Sequence, residues 1–244
     1  IVWATSPDLG PIGAFTSAFS NNPSVATAIE KSSPIILMGG GIFMILLFFH
    51  WLFMEPKNYG LRGEKFFHER GVWFFAIASA LLATIVWFAL KINPLMAFSA
   101  VIGSTVFFIT HGFKQNAEQK EKELMSGGFS DTAKIFYLEV IDATFSIDGV
   151  LGAFAFTMSV PLILIGNGLG AFVIRKLTIS NMHNIKKYIY LKNGAMYSLL
   201  FLGTIMILDS FGFHIPAWVS PITTTSIVGY FFWKSKSHNK KIAR

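Results

Sequence analysis

An all-α, polytopic membrane bundle is the fold class this sequence predicts, on three observations. Hydrophobic residues make up 53% of the 244 and charged residues 14%, with a mean hydropathy of +0.55, whereas a soluble domain carries nearer a quarter charged residues. Apolar runs long enough to cross a bilayer recur along the chain. Runs such as GIFMILLFF are continuous, without the alternation of a barrel strand.

Taken in order, the runs predict about seven spans, at 34–53, 71–90, 95–112, 134–157, 160–175, 194–213 and 216–233. Residues 1–33 hold Pro7, Pro11, Pro23 and Asn21-Asn22, and are read as an extracytoplasmic loop or the remnant of a preceding region. The chain opens on Ile1 with no signal-peptide pattern, which leads us to expect an N-terminal truncation. The transmembrane domain is placed at 34–233, and a basic tail at 234–244. Between the third and fourth spans, KQNAEQKEKELMSGGFSD alternates charge at helical spacing and reads as a solvated helix stopping at Gly127-Gly128.

Lysine and arginine set the orientation, because cytoplasmic loops retain them. All but Lys31 and Lys91 fall after the first, third or fifth span or in the tail, so that side is cytoplasmic, the C-terminus with it. Trp51, Trp73, Trp87, Trp218 and Trp233 lie near span ends, as interfacial indoles do. Net charge +7 and pI near 9.6 are thereby accounted for as a topology signal, without nucleic acid as a partner. With no cysteine, disulfides and thiolate metal sites are excluded.

The chemistry is expected in the fourth span, KIFYLEVIDATFSIDGVLGAFAFT, which carries Glu139, Asp142 and Asp148. An ionisable side chain in hydrocarbon costs a few kcal/mol or more, so it must face a cavity, a partner or a cation. In a continuous helix Glu139, Asp142 and Ser146 share one face and Asp148 points almost opposite. Convergence of all three requires a break near Gly149, of the kind that transporters use to build mid-membrane ion sites. Hard oxygen donors suit magnesium, calcium or manganese as a bound substrate, with protons as natural exchange partners. The bland alternative is buried acids acting as hydrogen-bonding glue between helices.

Among other polar residues, Asn167 in LILIGNGLGAFVI is the best neighbour for that site. Ser99, Ser104, Thr105 and the Thr223–Ser226 cluster more often return a hydrogen bond to their own helix. Asp209 reads as a solvated interfacial residue, and His50 and His111 as ordinary interfacial histidines. Gly39, Gly40 and Gly41, like Gly166, Gly168 and Gly170, read as points of close packing or flexing rather than a nucleotide loop.

The string E-x-x-D-x-x-F-S-I-D-G-V, from Glu139 through Phe145, Ser146 and Asp148 to Val150, resembles the second acidic motif of the TerC family of bacterial membrane proteins. IGNGLGAFVIRKLT, KYIYLKNGAMYSLLFLGTIMIL and HIPAWVS resemble its later spans, closest to a TerC-like branch of the LysE exporter superfamily. The resemblance implies the second half of an inverted-repeat transporter of the bacterial inner membrane, linked to metal homeostasis, with manganese export the leading activity. It carries Glu139, Asp142, Asp148 and, less directly, Asn167 over as metal ligands. The family's first acidic motif is missing here, so either a preceding segment or a second copy of the chain in a homodimer supplies the remaining ligands. No prosthetic group is implied; metal ion and lipid are the partners. Two other classes compete: a subunit of a membrane assembly or stress complex whose acids pair with a partner's basic residue, and an intramembrane hydrolase using Glu139 and Asp142 as an acid/base pair. The hydrolase is disfavoured because both acids lie on one helix, and the leading reading is not an enzyme.

Overall fold

The computed structural model describes residues 23–126, 153, 159–185 and 188–242. Among these the chain is all-helical: α1 Pro23–Met54, α2 Arg62–His68, α3 Trp73–Leu90, α4 Pro94–Ser126, α5 Val160–Ile185, α6 Leu191–Ser210 and α7 Val219–Ile242. Among the described residues four stretches are long and apolar enough to cross a membrane: Ser32–Met54, Trp73–Leu90, Pro94–Gly112 and Leu191–Ser210. The expected seventh span is a helix too polar to qualify by that measure, carrying Thr223, Thr224, Thr225 and Ser226 and ending in lysines. In the fifth, the apolar stretch is only Pro161–Val173. The fourth expected span, Ala153 apart, lies outside the described residues.

Several boundaries differ from the sequence reading. Helix α1 begins at Pro23, so 23–33, expected in the leading loop, is helical. Helix α7 carries the expected tail onward as helix to Ile242. Helix α4 absorbs the charged stretch and is described as far as Ser126; Gly127-Gly128, the expected stop, lies outside the described residues. Helix α2 falls where only a basic loop is expected.

The core is organised around α1, whose spanning window is 72% buried, against 17% for that of α3. Met38, Ile42, Met44 and Trp51 are fully enclosed. Helices α4 and α6 pack on α1, α3 packs on α4, and α7 packs on α6. In lipid no hydrophobic effect draws apolar helices together, so association depends on close packing. Glycine supplies it here. A Cβ on Gly103 of α4 would sit 2.1 Å from the Gly39 carbonyl oxygen, and one on Gly203 of α6 would sit 2.9 Å from that of Gly41. The Ser99 hydroxyl adds a 2.5 Å bond to the Ile35 carbonyl across the α1–α4 crossing, a term of only about 0.6 kcal/mol in such settings. Around these crossings Phe43 meets Phe107 edge-on at 6.1 Å and Phe48 meets Tyr197 at 5.3 Å. Gly166, Gly168 and Gly170 have no described neighbour at a Cβ position, so the close approach expected there is not made to any described helix.

The ends of the helices follow their sequence. Asn93, just ahead of Pro94, accepts the Leu95 amide on its side chain at 2.8 Å and opens α4. Asp209 accepts the Ile215 amide at 2.9 Å, holding the turn into α7 where Gly212 takes φ +89°. The indoles divide: Trp73, Trp87 and Trp218 are exposed at or near helix ends as expected of an interfacial belt, Trp233 is exposed but lies within α7 because that helix runs on past the expected span end, and Trp51 is fully buried because its helix is the one the others surround.

Gly103→Ala is expected to lower stability by about 1–3 kcal/mol through overpacking, while Gly112→Ala, with no described neighbour at its Cβ position, leaves it unchanged or slightly raised. Thermal unfolding of both variants in detergent checks this.

Candidate functional site

Of the four metal-ligand candidates, Asn167 alone is described: it lies on α5, the eighth residue of the helix from Val160, partly buried. Glu139, Asp142 and Asp148 lie outside the described residues. Among the described residues no three His, Cys, Asp or Glu side chains gather closely enough to hold a metal ion.

Two polar constellations emerge that the sequence leaves scattered. In the first, His50 of α1 and His111 of α4 meet with ring centroids 3.7 Å apart. His50 lies edge-on to Phe74, and His111 stacks on Phe107. His50 is therefore a packed residue and not the expected interfacial one. Two imidazoles provide two nitrogen donors, fewer than the three or four protein ligands of a zinc-type centre.

The second lies where α1 ends, α6 begins and α7 approaches its end, with Lys57, Arg62, Lys65, Lys192, Lys234 and Lys236 around it; we call this the basic end. Glu64, on the short α2, is 1% exposed. Its Oε2 accepts the Gly60 amide at 2.7 Å and the Asn193 side-chain amide at 2.8 Å, and Asn193 also donates to the Asn58 carbonyl at 2.9 Å. Tyr197 lies beside the same carboxylate. Its other oxygen, Oε1, is buried with no hydrogen-bond partner among the described residues. Gly60 is required here: a Cβ would lie 2.8 Å from the Phe231 ring and 2.9 Å from Asn193 Nδ2. Lys234 of α7 donates to the Gly60 carbonyl, and Lys192 of α6 bonds Glu55 at 2.5 Å. One loop, 55–61, is thus tied to α2, α6 and α7.

Lys57 completes the tie. Its ammonium donates to the Trp51 carbonyl at 2.6 Å and to the Leu52 carbonyl, satisfying groups that the last turn of α1 leaves open. It also lies 4.2 Å above the Trp51 ring. Burial pushes its pKa down from 10.5 to about 8, against the upward pull of Glu64 and Glu55 and with a small further lowering from Lys192. Sequence reasoning counted this loop only for its positive charge. The signal it held was Glu64, an acid among four basic residues, paired with Asn193 at the head of a span.

Fold and polar ties together define an integral membrane helix bundle closed at its basic end by a buried carboxylate. The chain belongs to the DUF475 family, whose description is a protein of unknown function and whose model matches residues 1–242. Comparisons with curated proteins and with solved structures return no match.

Glu64→Ala would leave the Gly60 and Asn193 donors unsatisfied and is expected to cost about 1–3 kcal/mol for each group that water cannot reach, whereas Glu64→Gln keeps an acceptor and most of the stability; detergent unfolding of the pair distinguishes them. The unfolded chain holds the Lys57 proton up to pH 10.5 and the folded one only to about 8, so stability rises with pH between these values and the cost of burying the charge is fully present below them. Relative to Lys57→Met, wild-type melting temperature is expected to climb across that window.

Proposed function

We propose that the protein is a secondary transporter of a divalent cation, manganese foremost, with Glu139, Asp142 and Asp148 as its intramembrane ligands and Asn167 as a neutral oxygen donor. One observation carries the reading: three carboxylates lie within ten residues of an apolar stretch, 134–157, in a chain whose described body is a membrane helix bundle. Each acid costs too much in hydrocarbon to be retained without a counter-charge or a proton, and three together match the oxygen-rich coordination of a hard divalent ion. Exchange of protons for metal on the same oxygens couples export to the proton gradient. The resemblance of this segment to the second acidic motif of the TerC family supports the same assignment.

The basic end faces the cytoplasm of the bacterial inner membrane in this reading, because the lysines and arginines concentrate there. A homodimer, or a preceding segment of the chain, supplies the ligands that one acidic motif leaves missing. The activity is transport and not catalysis.

Purified protein in detergent is expected to bind manganese saturably, in preference to magnesium, calcium and zinc, and Asp148→Asn to weaken this by roughly ten-fold or more. Equal binding by both proteins would remove Asp148 from the site. A reporter fused after Arg244 is expected to be active only in its cytoplasm-dependent form.

A further inference from the structure

Between α6 and α7 an open groove of about 570 Å³ runs inward from the basic end. Leu61 stands at that end, and Tyr197, Leu200 and Thr204 of α6 face Ile227 and Tyr230 of α7 along it. The Thr204 hydroxyl donates to the Leu200 carbonyl at 2.8 Å, and that of Ser226, also in the groove, to the Ile222 carbonyl at 2.7 Å. The hydroxyls are thus turned to their own helices and the walls are apolar. From Tyr197 to Thr204 the helical rise is roughly 10 Å, about a third of the hydrocarbon core.

The mouth has the opposite character. Arg62 follows Leu61 directly, and Lys234 lies one turn beyond Tyr230. The bond from Lys234 to the Gly60 carbonyl fixes its ammonium at the mouth, 5.8 Å from the Tyr230 ring centroid and 5.9 Å from that of Tyr190. An ammonium has three donors, so this anchoring bond leaves capacity for an incoming anion. The fixed Lys234 ammonium, with Arg62 beside Leu61 in the chain, at the mouth of an apolar slot that is open among the described residues suits a molecule with an anionic head and a hydrocarbon tail. Basic pockets between membrane helices take anionic headgroups for the same reason.

We propose that the α6–α7 groove binds an anionic phospholipid, its acyl chain lying between Leu200 and Ile227 and its phosphate resting on Lys234 and Arg62. A zwitterionic lipid would bring a positive group to the same mouth and bind less well. The assignment needs only the membrane bundle and is independent of which ion is transported.

The test uses the full chain purified in detergent, with phosphatidylglycerol and phosphatidylcholine of the same acyl chains as probes and native mass spectrometry as readout. Phosphatidylglycerol is expected to be retained in preference, with Lys234→Gln and Arg62→Gln each weakening it roughly five-fold. Ile227→Trp is expected to fill the groove and lower the retention of both lipids. Arg62→Gln guards against misfolding, since Arg62 does not take part in the Gly60 bond that Lys234 makes. Equal retention of the two lipids, or phosphatidylglycerol binding unchanged in the arginine and tryptophan variants, would overturn the proposal.

Discussion

Backbone-to-backbone contact at the glycines of α1 is the constraint on which the rest of this bundle depends. Gly39 meets Gly103 of α4 and Gly41 meets Gly203 of α6, one helix being held on two sides within a single turn. At these distances no side chain larger than hydrogen fits. Helices so close exchange dispersion contacts around the crossings, and the aromatic layer of Phe43, Phe48, Phe107 and Tyr197 forms because the crossings bring those faces together. The polar ties at the basic end come second in that order. The loop 55–61 reaches Asn193 and Lys234 only because α1 and α6 already lie side by side.

The fold was legible where one physical rule dominates. A backbone in hydrocarbon must satisfy its own hydrogen bonds, so the long apolar runs of α1, α3, α4 and α6 could only be helices, and the glycine triplet at 39–41 marked a packing point. Less legible were elements shaped by tertiary context. Helix α7 extends through its basic residues, and α2 forms in a stretch that reads as a topology signal alone. Trp51 was assigned to an interface because indoles prefer it, but its position on the central helix overrides that preference.

The candidate site divides along the same line. Glu139, Asp142 and Asp148 stand out because charge in an apolar stretch is visible in one dimension, and their arrangement lies outside the described residues. The Glu64–Asn193 bond joins residues 129 positions apart, and no local pattern encodes it. Likewise His50 and His111, each ordinary in its own segment, become a pair only through the α1–α4 crossing. The two acidic features answer different demands. Glu64 is satisfied by backbone and amide donors at an end of the bundle, while the carboxylates of 134–157 have no basic residue in sequence between Ile135 and Thr157.

Helix α4 has a mechanical consequence. Its 33 residues make a rod about 50 Å long, set against a hydrocarbon core of about 30 Å. Its first half is fastened by the Gly39–Gly103 crossing, and its length exceeds the hydrocarbon core by roughly 20 Å, an overhang on the side that leads into the acidic segment. Rigidity makes that overhang a lever with its fulcrum in the membrane. From Gly103 to Ser126 the rod is about 35 Å long, so a tilt of about 10° at the crossing would swing Ser126 by roughly 6 Å, comparable to the one-turn shift of about 5.4 Å by which packed helices switch between states.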